Sequence, residues 1–296
     1  MTQTATTGNL ASAQRIIIDQ TRYTEEHNAP AMALTEMFTL QRGAKQVTVP
    51  KVGQMTVNDL VDGEDLIDEE DIGMTTVDLT SAEVGAKVVI TDKLVRQSQP
   101  SVFSLVGRQL GDAMARKKDT DVHALYGALN GGTTLGGAGI AFSSLAWTGC
   151  IATAKAGGAA GTPFGTKLYG LVHPNSMTDF IRSAALTPSV TYPVPRGWSE
   201  DLLGEFYVGL KPLNGVSLFE DGNLAVDSAG DATGVIADQG ALATLMSVKM
   251  KTERQRDASL RGTEIVLTSD YGVFELDDTK GAGIVYDASA PSTTGG

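Results

Sequence analysis

Carboxylates are the side chains in this sequence best placed to do chemistry. Asp59 to Asp71 reads DLVDGEDLIDEED, eight acidic residues in thirteen positions with no base among them. Such a stretch can bind a divalent cation loosely, stay as a solvated loop, or dock on a basic neighbour. An EF-hand is excluded: with Gly63 at the loop glycine, Leu60 occupies the third ligand position, where an oxygen ligand is required. A basic counterpart lies in the same chain. Lys249, Lys251, Arg254, Arg256 and Arg261 fall within thirteen residues, opposed only by Glu253 and Asp257, a local charge of +3. Docking on the matching strand of another copy is therefore the favoured of the three readings.

Other candidate chemistry is sparse. His27, His123 and His173 show neither HExxH nor HxH spacing, and one cysteine cannot build a zinc cluster. Each histidine reads as a surface or satisfied side chain, and Cys150 as a small buried residue in an Ala/Gly-rich helix. No metal or cofactor is expected. Gly131–Gly139 is glycine-rich, but the chain contains no Gly-Lys-Ser/Thr triplet and no GxSxG elbow. That stretch reads as a hinge. His173, Asn175 and Asp179 can be imagined as the polar lining of an enzyme site, but they follow one strand end without a nucleophile or metal partner. Arg116-Lys117-Lys118 reads as a solvated helix face with i,i+4 partners, the alternative being weak contact with nucleic-acid phosphates.

The elements that must carry these residues are legible in outline. The first helix is expected from Asn9 to about Glu26, and a second over Ala31–Leu40 with Pro30 in its first turn. Residues 1–43 thus read as an arm outside any globular core. Gln46–Val57 and Thr75–Ile90 alternate as two strands of a long hairpin whose tip is the acidic stretch. Pro50 places the rising strand at an edge. The apolar phase flips between Leu79 and Ala82, which predicts a bulge or twist near Thr80–Ser81. Two strands alone are marginal in water, so the hairpin needs another body to receive it.

A long helix is expected from Ser101 to about Leu129, ended by Asn130-Gly131-Gly132. Its row of Gly107, Gly111 and Ala115 suits close approach of another backbone. Helices at Ser143–Ala156 and Pro174–Ala185 flank a strand at Lys167–Val172. A loop at Thr187–Gly197, a short helix at Glu200–Phe206 and a strand at Val216–Phe219 complete an α/β unit over about 141–236. Met246, Val248 and Met250 alternate with polar residues, as do Ile265, Leu267, Tyr271 and Val273, with a turn at Leu260-Arg261-Gly262.

At 296 residues and 42% hydrophobic, the chain can build one large core or two modest ones. Its net charge is −12, of which all but −4 resides in the eight tip carboxylates. An acidic surface argues against tight, sequence-reading attachment to nucleic acid. No window approaches the roughly 18 apolar residues of a membrane span, and no secretory signal opens the chain. The expectation is a soluble protein made in a reducing cytoplasm, with no membrane partner.

The order of these elements resembles the major capsid proteins of tailed bacteriophages, the Hong Kong 97-like fold. AMARKKDTDVHALYGALNGG is similar to the end of that family's spine helix. KLYGLVHPNSMTDFIRS resembles its axial strand-to-helix step, and MKTERQRDASLRGTEIVLTSDYGVFEL its closing long strands. The resemblance implies an α+β fold with 1–43 as N-terminal arm and 44–98 as the extended β-hairpin loop. It makes 99–140 the peripheral domain with the spine helix, 141–236 the axial domain, and 237–296 peripheral strands and tail. It further implies a non-enzymatic coat subunit forming pentamers and hexamers of an icosahedral shell around double-stranded DNA, in a virion assembled in the host cytoplasm. Asp62, Glu64, Asp65, Asp68, Glu69 and Glu70 would then meet Lys249, Lys251, Arg254 and Arg256 of a neighbouring copy. A separate scaffolding protein, a portal, cementing proteins and non-specific contact with packaged DNA are the other expected partners. An encapsulin-like compartment shares the fold and is the closest alternative, ahead of an enzyme in 141–236 or a tail-tube subunit.

Overall fold

Two five-stranded sheets, a two-stranded ribbon and one long helix between them make up the computed structural model, which describes residues 4–5, 29–41, 43–52, 59, 73–97, 102–185 and 215–291. In chain order the elements begin with β1 (Thr4–Ala5), α1 (Ala31–Leu34), β2 (Glu36–Thr39), β3 (Gln46–Val52), β4 (Met74–Thr80), β5 (Ala82–Thr91) and α2 (Asp92–Gln97). Then come α3 (Val102–His123), β6 (Leu135–Ala141), α4 (Ser144–Ala156), β7 (Leu168–Val172) and α5 (Pro174–Ala185). The chain closes with β8 (Ser217–Glu220), β9 (Asp231–Asp238), β10 (Leu242–Asp257), β11 (Gly262–Glu275) and β12 (Gly281–Asp287).

The first sheet runs β1-β5-β11-β10-β2, antiparallel at its centre, with β1 and β2 added parallel at the two edges. On β11, Ile265, Leu267, Ser269 and Tyr271 alternate inward as their spacing predicts. The first part of α3 covers this sheet through Leu110 and Met114, which meet Ile90, Ile265 and Leu267. The expected turn at Leu260-Arg261-Gly262 is present, with Arg261 at φ 47°.

The second sheet runs β6-β12-β9-β7-β8. One face receives α4 and α5 through Trp147, Ile151, Met177 and Phe180. The other receives the end of α3 and the turns after it, through Val122, Tyr126 and Leu129. Covering both faces explains why β7, LYGLV, is buried at every position and reads as a continuous apolar run. Ser143 caps α4 by accepting a hydrogen bond from the Ala146 amide.

Several expectations need correction. The second helix stops at Leu34, because Thr35 turns extended and bonds Thr244 and the Met32 carbonyl, after which the edge of β10 captures Glu36–Thr39 as a strand. This part of the presumed arm belongs to the core, with Ala31 and Thr35 buried. The spine helix α3 has 22 residues and is about 33 Å long. Beyond His123 the amides of Leu125, Tyr126 and Ala128 reach back three residues instead of four, and the segment tightens into turns through Gly132. Asn130, Gly131 and Gly132 all have positive φ and end it as expected. Among the described residues no neighbouring backbone lies within 4 Å of a Cβ built at Gly107 or Gly111.

The supposed hinge Gly131–Gly139 holds part of a strand, β6, which pairs parallel to β12. The boundary expected at 236 falls inside β9, and β12, assigned with the other closing strands, lies in the second sheet instead. Val248 and Met250 do not point inward: register shifts in β10 between Met246 and Lys251 break the alternation and leave both exposed. The predicted break does separate β4 from β5 at Ser81, where the strand leaves the ribbon and joins the first sheet. The expected helices Asn9–Glu26 and Glu200–Phe206 and the loop Thr187–Gly197 lie outside the described residues.

Candidate intersubunit surface

Beyond Met246, β10 has β11 on one side and, among the described residues, no strand on the other. A long open strand edge presents unpaired amides and carbonyls, and proteins keep such an edge from sticking by charging it. Here the edge carries Lys249, Lys251, Arg254 and Arg256, all exposed, interleaved with the exposed apolar side chains of Val248 (44%) and Met250 (52%). Apolar area beside mobile charge suits an interface better than a solvated wall.

The four basic residues are not equally available. Arg256 donates two hydrogen bonds to Asp92, at 3.0 and 2.8 Å, fixing the outer end of β10 to α2. That guanidinium holds the Asp92 carboxyl below its ordinary range. Lys251 pairs with Glu253 on its own strand. Lys249 makes no ion pair among the described residues. Of the acidic stretch only Asp59 is described; Asp62, Glu64, Asp65, Asp68, Glu69 and Glu70 lie outside the described residues.

The sequence predicts that the ribbon needs another body, and its own subunit supplies part of one. Leu79 is fully buried against Ala243 and Leu245, with Val47, Val49 and Val77 packed around it beside Phe38 and Phe274. Lys51 pairs with Asp277. Farther out, Val52 and Met74 are more than half exposed. The base is therefore anchored at home while the outer end projects.

Asp277 is drawn two ways: burial opposes its ionisation, but Lys51 and the Thr279 hydroxyl and amide outweigh it and hold the carboxyl low. A carboxyl lower when folded than unfolded stabilises above the unfolded value of about 3.9, and loses that contribution as pH falls through its folded value. Glu275 runs the other way, raised by burial and then by Asp278, so acid relieves it. Asp277→Asn is expected to lower the melting temperature near neutrality, where that contribution is fully present, and to flatten its fall below about pH 4. Thermal melts across that range check this.

The remaining candidates are mostly used structurally. Asn175 donates to the Ala288 carbonyl and its amide bonds His173 Nδ1, while Asp179 faces Arg182, so the imagined enzyme lining ties α5 to the sheet. Lys117 pairs with Asp121, as spacing predicts, and Asp121 also accepts from the Tyr271 hydroxyl. Lys118 departs from the solvated-face reading: it is buried over the Tyr271 ring, 5.1 Å from its centroid, and cannot meet phosphates. Cys150 is buried as expected, which pushes its thiol up to about 11.

His123 corrects the sequence reading most. Its side chain is buried between two carboxylates, with Nε2 3.0 Å from Asp221 Oδ2 and 3.6 Å from Asp119 Oδ2. Asp119 accepts from the Ala31 amide and from Asn223 Nδ2. Burial first, and the adjacent Asp221, push its carboxyl up to about 7. Burial also opposes ionisation of Asp221, but His123 and Asp119 beside it hold it low. The spacing of Asp119 and His123, four apart on one helix face, was available in the sequence; the approach of Asp221 was not.

This architecture is shared with known shells. The sequence matches the family described as phage capsid protein over residues 75–285. A structure from Mycobacterium phage Che8 aligns at 17% identity and TM-score 0.68, covering 92% of this chain and 96% of that one. The head structure of Helicobacter pylori bacteriophage KHP40 aligns at 9% identity and TM-score 0.71, covering 90% and 93%. The capsid of cyanophage P-SCSP1u aligns at 15% identity and TM-score 0.66, covering 92% of each. No curated protein matches the sequence. Two sheets bridged by a spine helix, with a ribbon projecting from one of them, define a shell subunit of the Hong Kong 97-like fold. The chain belongs to the phage capsid protein family.

Proposed function

We propose that many copies close into a shell of pentamers and hexamers around double-stranded DNA, each ribbon tip resting on the open β10 edge of a neighbour. Asp62, Glu64, Asp65, Asp68, Glu69 and Glu70 meet Lys249, Lys251, Arg254 and Arg256, while Val248 and Met250 supply apolar contact. The observation that carries this reading is a basic, partly apolar strand edge, unpaired among the described residues, in a strongly acidic chain. Such exposed ion pairs are individually weak and screened by salt. The contact works as a network, and its weakness lets misplaced subunits leave before closure.

In this reading the second sheet with α4 and α5 forms most of the axial domain near the local symmetry axis, and the first sheet with α3 the periphery. The subunit carries no catalytic site. A separate scaffolding protein directs closure in the host cytoplasm, a portal occupies one vertex, cementing proteins attach outside, and packaged DNA touches the inner wall without sequence preference.

Converting the six tip carboxylates to amides is expected to slow assembly or loosen the shell, followed by light scattering and electron microscopy. Lys249→Glu with Lys251→Glu should give the same defect, partly restored when the tip carries lysines. Normal particles from the amide variant would remove the electrostatic part of the proposal. DNA inside purified particles distinguishes a genome shell from a protein-filled compartment.

A further inference from the structure

We propose that Asp119, His123 and Asp221 bind one divalent transition-metal ion, Zn2+ fitting best, which fastens the spine helix to the second sheet. This site lies inside the subunit and does not depend on how copies meet.

The ligand geometry carries the inference. One oxygen of each carboxylate and one imidazole nitrogen lie within 4.8 Å of one another. A tetrahedral ion with bonds of about 2.0–2.1 Å requires ligands roughly 3.3–3.4 Å apart. The 3.0 and 3.6 Å separations from His123 Nε2 bracket that value. The second observation concerns unmet polar atoms. The His123 side chain is only 7% exposed, yet among the described residues neither ring nitrogen has a hydrogen-bond partner, and neither does Asp221 Oδ2. The 3.0 Å approach is close enough for an ion pair but lacks hydrogen-bond geometry.

The surroundings fit an ion as well. Metal-binding carboxylates are usually oriented by a hydrogen bond of their own. Asp119 Oδ1 accepts from the Ala31 amide at 2.9 Å and Asp221 Oδ1 from the Asn223 amide at 2.8 Å. The Asn223 side chain adds a bond to Asp119 Oδ2 at 3.1 Å. Two buried acids against one imidazole leave the cluster short of positive charge, and a divalent ion supplies it. Mixed nitrogen and oxygen donors, three in number, suit Zn2+ with one position left for a small ligand. His123 also lines a cavity of about 400 Å³ with Thr120, Asn223, Asp227 and Asp231, which gives the ion a route in. Once bound, it would link α3, the loop after β8 and, through Asp119, the segment at Ala31.

The test uses the full, tag-free chain, stripped with a chelator and then given Zn2+ alone. One ion per chain should survive gel filtration by elemental analysis, and the melting temperature should rise. Co2+ in its place should give the intense visible bands of a four-coordinate site. His123→Gln and Asp221→Asn should lose both signals, and Asn223→Ala should weaken binding by about 10–100-fold. Zn2+ retained by the wild type no better than by His123→Gln overturns the proposal. So does a weak six-coordinate Co2+ spectrum, which needs no variant to fold. A wild-type chain that takes no metal while His123→Gln lowers its melting temperature would make the trio a proton-sharing cluster, and the proposal would fail.

Discussion

Trp147→Ala is expected to destabilise the subunit by about 3–5 kcal/mol and to leave few or no closed shells. Trp147 is completely buried on α4, its ring lying directly over Gly170 of β7 and 6.0 Å from that of Phe142. Among the described residues the indole N–H has no hydrogen-bond partner, so the loss is one of packing and of the cavity left behind. Against a typical domain stability of about 5–15 kcal/mol, that is a large fraction. Gly170 gives the control. A Cβ there would sit 2.3 Å from the Trp147 ring and 2.9 Å from Leu218. Gly170→Ala should therefore be costly alone, yet much less so in the Trp147→Ala background, where the methyl group enters space the indole has vacated. Urea unfolding of the four proteins measures this coupling. Simple additivity would show that helix and strand are not packed as described.

Where the fold was legible, local pattern and tertiary demand agreed. Ser143 before an Ala-rich run and Pro174 at the start of α5 marked both helices of the second sheet. Ile265, Leu267 and Tyr271 gave β11 its inward face, and the phase flip after Leu79 located the passage from ribbon to sheet. Legibility ended where a distant partner decided the structure. Glu36–Thr39 continues a helix-like stretch, and only the edge of β10 makes it a strand. Gly-rich β6 and β12 have little periodicity; they exist because β9 and each other's edges pair with them. The charge complementarity of the candidate surface was readable, since it depends on composition. That Asp92 already occupies Arg256 was not, because residues far apart in sequence meet there.

Leu79→Ala should separate folding of the body from orientation of the ribbon. Leu79 sits opposite Val47 in the ribbon and is fully buried among Ala243, Leu245, Phe274 and Leu276. Its truncation is expected to remove about 2–5 kcal/mol, almost all from one place. Two strands without a supporting face are marginal, so the amides of β3 and β4 should lose protection from hydrogen exchange. Those of β7, β9 and β12, whose cores contain no part of the ribbon, should keep theirs. Uniform loss in both regions would mean that the ribbon is integral to one cooperative unit. The consequence for assembly follows from entropy. A base clamped by Leu79 and by the Lys51–Asp277 pair points the projecting end before a neighbour arrives. A loose ribbon must be ordered during docking, at the expense of affinity. Folded Leu79→Ala subunits should thus assemble more slowly than wild type at equal concentration. Assembly at the wild-type rate with an unprotected ribbon would show that orientation at the base contributes nothing to closure.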